Sequence, residues 1–149
     1  MQRILNNPDN ITDEMLEGFM RVHADIVETT DNPRAIRAKT STKGRVGVVT
    51  GGGSGHKPAF IGFCGEGMCD AVAVGEICSS PTAKAFLDAF TAADGGKGVA
   101  CLYGNYSGDS HEIIPCSITS VKGRNNYQPM ILDGSEKQRV LDKIQKYSY

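Results

Sequence analysis

Between Arg45 and Pro58 the chain reads RVGVVTGGGSGHKP, and this stretch restricts the possible folds more than any other. Val46 to Thr50 is a β-branched apolar run, the signature of a short buried strand. Four of the next five residues, Gly51 to Gly55, are glycine. Glycine loses more backbone freedom on folding than any other residue. Such density therefore points to a sharp turn, or to a backbone that a ligand must touch. His56 follows, and Pro58 suits the first turn of a helix. The predicted order is strand, glycine turn, histidine, helix. N–H groups exposed at such a turn attract anions and polar oxygens, and a histidine can move a proton near neutral pH. The plainer alternative is a tight turn with a satisfied histidine.

Two glycine motifs are excluded. A P-loop needs Gly-Lys followed by Ser or Thr; counted from Gly51, those places hold His56, Lys57 and Pro58. The dinucleotide pattern fails as well, because His56 stands where the third glycine belongs. The loop is not expected to cradle a nucleotide.

A length of 149 residues suits one ordinary domain. The net charge of −1 gives no electrostatic reason for a nucleic-acid or membrane partner. The first ten residues, MQRILNNPDN, are polar and no apolar run is long enough to span a bilayer, so neither a signal peptide nor a membrane span is expected. Cysteines stand at 64, 69, 78, 101 and 116, an odd number with no CxxC pair. Reduced thiols in a cytoplasmic protein are expected, with neither a disulfide frame nor a metal site. Cys78, beside Ser79 and Ser80, is expected to be a small buried apolar residue.

Thr12 can cap a first helix, with Met15, Leu16, Phe19, Met20, His23 and Ile26 on one face. Residues 29–43 are polar, contain Pro33 and read as a connector. After the glycine loop, Pro58 to Phe63 should form a short helix, and Met68 to Val74 a second strand. Gly75 opens a second loop, GEICSSP. Ser80 can cap a helix that has Pro81 at its first position and Ala85, Phe86, Ala89 and Phe90 as its packing face. DGGKG is a turn, Val99 to Tyr103 a third strand, and GNYSGD a third polar loop. Strands alternating with helices predict an α/β fold with a parallel sheet and flanking helices. Ligands bind such sheets beyond the carboxyl ends of the strands, so His56, Ser79, Ser80 and Asp109 should converge. After Asp109 the texture changes: sixteen of the eighteen glycines lie in residues 1–109. Ser135 and Gln138 make a capping box for a modest closing helix.

GGGSGH, GEICSSP, DGGKGV and GNYSGD, in this order and spacing, closely resemble the substrate-binding domain of dihydroxyacetone kinases. The likeness runs from near Met1 through Asp109. It implies the N-terminal part of a ketose-binding α/β domain over residues 1–109, incomplete relative to the family, and a divergent tail over 110–149 left by truncation or a frame shift. It also implies a homodimer in the complete protein. ATP and magnesium would be held on a separate helical domain or subunit, or replaced by a phosphotransferase-system donor, with no cofactor on this chain. The resemblance gives Gly53, Ser54, Gly55, His56, Ser80 and Asp109 as contacts to dihydroxyacetone (glycerone) or a related ketose such as erythrulose. His56 would be general acid/base and Asp109 would share that work. Lys57 stands where the family usually has Glu, and Gly104 where many members have Lys. The family's covalent histidine would lie beyond the matched part; His111 does not occupy its place. The implied function is ketose presentation for phosphorylation, with the chain alone inactive. The alternatives are a non-catalytic ketose-sensing module or an inactive remnant.

Overall fold

The computed structural model describes residues 6–104 and 106–108. Five strands form one sheet: β1 (Val27–Thr29), β2 (Ala35–Ala38), β3 (Gly47–Gly52), β4 (Ala71–Val74) and β5 (Val99–Tyr103). Their order is β1-β2-β4-β3-β5. β3 lies parallel to both β4 and β5, as expected of strands joined by helical or turn crossovers. β2 runs antiparallel to β1 and to β4, which makes the sheet mixed. The expected α/β fold is present, and its three expected strands are the parallel ones.

The two additional strands fall partly within the stretch read as a connector. β2 is AIRA, with Ala35, Ile36 and Ala38 buried and Arg37 exposed. A four-residue strand buried on both faces leaves no alternation to read. The turn before it is built by Asn32, whose Oδ1 accepts the Arg34 N–H at 2.9 Å.

The faces of the sheet are covered differently. α2 (Ala83–Ala93) buries Ala85, Phe86, Ala89, Phe90 and Ala93 against Ala35, Val49, Ala71 and Ala73. The opposite face packs Leu16 of α1 (Ile11–Val22) with Val27, Ile36, Ala38, Ile61, Val72 and Val74. Residues 71–74 alternate between these two cores, as the two-residue period of a strand requires.

Helix starts differ from expectation. Thr82, extended at φ −69° and ψ 155°, caps α2 by accepting the Ala85 N–H, so Ser80 is left outside the helix. Asn10 occupies the cap position of α1, and Thr12 is turned inward and buried. The stretch after Pro58 forms only a 3₁₀ turn, Ile61–Phe63. Phe60 has to fold back over the end of β3, which a regular helix from Pro58 would prevent. Ile26 lies beyond the end of α1 and is exposed.

Two polar devices fix the lower ends of the parallel strands. Asp70 is 4% exposed and accepts from Arg45 Nη1 and from the Val48 N–H, both at 2.8 Å, with a second bond from Arg45 Nη2. That pairing raises the Arg45 pKa through the hydrogen bond to Asp70, against the opposing effect of burial. In the turn before β5, Asp94 Oδ1 accepts the Gly96 and Gly98 N–H groups. Both glycines hold φ near +90°, a region side chains avoid.

Candidate functional site

The register of the parallel strands determines where their loops leave. Gly52 is level with Val74, and Gly51 with Tyr103. All three glycine-bearing loops therefore start from one edge of the sheet, as the alternation of strands and helices predicts.

The first loop rests on the second through backbone bonds. Gly75 N–H donates to Gly52 O at 2.9 Å, Ser54 N–H to Glu76 O at 2.9 Å and Gly55 N–H to Ile77 O at 3.1 Å. His56 N–H turns back to Gly53 O at 3.4 Å. The N–H groups of residues 54 to 56 are thus directed at protein carbonyls, rather than exposed to attract anions and polar oxygens as the sequence suggests. The same commitment means that these amides do not fit the phosphates of a nucleotide.

The glycines serve close approach. A Cβ on Gly55 would stand 2.4 Å from Ile77 O, and one on Gly75 2.2 Å from Ser79 O. None of the glycines from Gly51 to Gly55 holds a positive φ. The density of glycine has two causes: Gly53 and Gly55 lie against the backbone of the second loop, while Gly51 and Gly52 lie under the rings of Phe86 and Phe60.

The third loop closes on the other two. The Tyr106 ring stacks on His56 with centroids 5.5 Å apart and planes at 13°, and Phe60 meets His56 edge-on at 6.2 Å. Phe60 also occupies the space above Gly52, where a Cβ would lie 2.2 Å from its ring. Ser80 Oγ faces Gly108, 2.6 Å from where a Cβ would be. Gly53, Ser54, Gly55, His56 and Ser80 are therefore brought to one edge, together with residues 106–108. The Ser54 hydroxyl is buried and turned to Thr12 Oγ1 of α1 at 3.5 Å. Asp109 lies outside the described residues, as does the tail beyond it.

Cys78 is exposed, contrary to its expected burial. Glu76, Ile77 and Ser79 turn their carbonyls toward the first loop, and the side chains of residues 76–79 are left exposed. Cys64 and Cys69 are the buried thiols. Burial pushes Cys64 up to about 12 and Cys69 up to about 11, with the neighbouring Asp70 adding to both shifts. Among the described residues, no group of three or more His, Cys, Asp or Glu side chains could hold a metal ion, and no helix is long and apolar enough to cross a membrane.

Sequence reasoning overlooked Tyr106, Phe60, Thr12 and Arg34 at this edge. An aromatic between Gly104 and Gly108 was the one visible signal, since a large ring in a glycine loop has to rest on something. Phe60 and Thr12 carried no such mark; each was absorbed into a helix pattern. Arg34 stood in a stretch with no periodicity.

Comparison with known proteins agrees with this fold. The dihydroxyacetone-binding subunit DhaK of the PTS-dependent dihydroxyacetone kinase 1 of Listeria innocua is 41% identical over 109 residues, 73% of this chain and 33% of that protein. The solved dihydroxyacetone kinase of C. freundii, in complex with AMP-PNP and Mg2+, aligns with a TM-score of 0.72 at 28% identity, over 80% of this chain and 23% of that one. The dihydroxyacetone kinase operon co-activator Dha-DhaQ aligns with a TM-score of 0.66 at 30% identity, over 71% of this chain and 32% of its own. This chain spans about a third of the length of the curated relatives it matches first. The Dak1 domain matches residues 17–113, and the chain belongs to the Dak1 domain family.

Proposed function

We propose that this chain is the ketose-binding part of a dihydroxyacetone kinase, which presents dihydroxyacetone or a close relative for phosphorylation. The observation that carries the reading is the seating of the first loop on the second, with the exposed His56 stacked on Tyr106 of the third loop and Ser80 against Gly108 of that same loop. A ketose hydroxyl is a poor nucleophile until a positioned base takes its proton. His56 receives that proton as the hydroxyl oxygen bonds to phosphorus and the donor's own bond to that phosphorus breaks, the donor leaving with the bonding pair, while Asp109 shares the hydroxyl's hydrogen bond. The Ser80 hydroxyl orients the ketose, together with those backbone groups of Gly53 to Gly55 that are not engaged by Glu76, Ile77 and His56. The amides of residues 54 to 56 are engaged by protein carbonyls, which agrees with a donor, ATP or a phosphotransferase-system protein, held on another domain or subunit.

Calorimetric titration with dihydroxyacetone tests the reading: heat of binding is expected with the natural chain, and none would sink it. Supplying an ATP-loaded helical donor subunit then separates enzyme from sensor. A second reading, a ketose-sensing module without turnover, is favoured by one observation, the likeness to an operon co-activator at 30% identity. Ketose binding without phosphorylation in the presence of a competent donor would select it.

A further inference from the structure

Arg34 belongs to none of the four motifs, and its backbone is held at a decisive point. Its N–H donates to Asn32 Oδ1, and Asn32 Nδ2 in turn donates to Asp88 of α2 at 2.7 Å. Its carbonyl accepts the N–H of Val74, the last residue of β4, at 2.8 Å. Arg34 is therefore locked beside the place where β4 gives way to the second loop.

Its guanidinium joins two separate elements. Nη2 lies 2.9 Å from Asp13 Oδ1, in the first turn of α1, and 2.7 Å from Glu76 Oε1, in the second loop. The side chain is 23% exposed and Nη1 is buried, so the group is inserted between the elements rather than laid over them. Each carboxylate sits beside a contact to Ser54. Glu76 supplies the carbonyl that takes the Ser54 N–H, and Thr12, next to Asp13, meets the Ser54 hydroxyl.

We propose that Arg34 is a positioning residue for the histidine-bearing loop. By bridging Asp13 and Glu76 it holds the second loop where Ser54 and Gly55 reach its carbonyls, and so sets where His56 stands. The part of this that concerns a ketose rests on the proposed function; the clamp itself does not.

Amide hydrogen exchange on the full chain, followed by NMR, tests it. In Arg34→Met the Ser54 and Gly55 amides should exchange at least ~10-fold faster, while amides of β4 keep their protection, the mark of local rather than global opening. Glu76→Gln, which removes the charge but keeps the shape, should reproduce the effect. Arg34→Lys should restore part of the protection. High salt should move the same amides of the natural chain in the same direction, because a partly exposed charge cluster is screened. Arg37→Met, which breaks a pair with Glu28 on the sheet surface, should leave them unchanged. Dihydroxyacetone affinity should fall with the exchange protection. Unaltered exchange at Ser54 and Gly55 in Glu76→Gln would overturn the proposal, and so would uniform acceleration across the sheet. If Arg34→Met does not fold, Glu76→Gln decides. If the natural chain binds no ketose, the proposed function falls, while the exchange rates still judge the clamp.

Discussion

His56 is exposed to solvent and yet flanked by Tyr106 and Phe60, so its ring has two aromatic neighbours and an open side. With a donor subunit supplied, His56→Ala should lower turnover by ~10²–10⁴-fold, the usual worth of a positioned general base. Ketose binding, read by calorimetry, should suffer less; unchanged turnover would move the role to another group. Gly53 makes a different demand. A Cβ there would meet Glu76 O and Ser79 O at 3.2 Å. The branched side chain of Gly53→Val has to push the second loop away. Ketose binding should be lost while the far-ultraviolet dichroism stays native; normal binding would show that this loop does not touch the ligand. The thiols divide by burial. A maleimide at neutral pH should label Cys78 rapidly and leave Cys64 and Cys69 unlabelled in the folded chain, as site-resolved mass spectrometry would read, because raised thiol pKa values keep the reactive thiolate scarce.

At the scale of elements, stability rests on α2 against the sheet and on the ion pair below it. Phe86 is fully buried between α2 and β3, against Gly51. Phe86→Ala should cost about 3–5 kcal/mol in denaturant unfolding. Asp70→Ala strands the Val48 N–H, which costs about 1–3 kcal/mol, while the partly exposed Arg45 guanidinium can turn to solvent. The buried thiols also set a pH limit. Both have folded pKa values above the ordinary 9.0. Between 9 and 11–12 the unfolded chain loses protons that the folded chain keeps. Stability is therefore whole below about 9 and falls as the pH rises through that window. Replacing both cysteines with alanine should flatten the decline in chemical-denaturation midpoints; an equally steep decline would assign it to other groups.

Across the whole molecule, the three glycine-bearing loops share one edge of a chain that spans about a third of the length of its curated relatives. Given ATP and magnesium but no other protein, the purified chain should not phosphorylate dihydroxyacetone in a coupled assay. Clear product from a monodisperse preparation would refute the division of labour between this chain and a donor subunit. Among the described residues β5 ends the strand order, and all five of its residues are half-buried. Strands at a sheet edge tend to recruit further chains. Concentration-dependent association in light scattering is the expected behaviour.

Three strands, the packing face of α2 and the three glycine loops were legible because each is a local signal. Val99 to Tyr103 is bounded by glycines, Phe86 and Phe90 recur at helical spacing, and the glycines announce close approach of other groups to the chain. Together with parallel pairing, these determined that the loops meet. What only the tertiary structure decided is which side chains hold them there. Thr12 and Ser54 stand 42 residues apart in sequence and meet in the core, and Arg34 reaches Glu76 across a similar span. β1 and β2 likewise exist through their pairing with each other and with β4 rather than through any pattern of their own. Contacts of this kind depend on packing between distant segments, which leaves no periodicity in the chain to read.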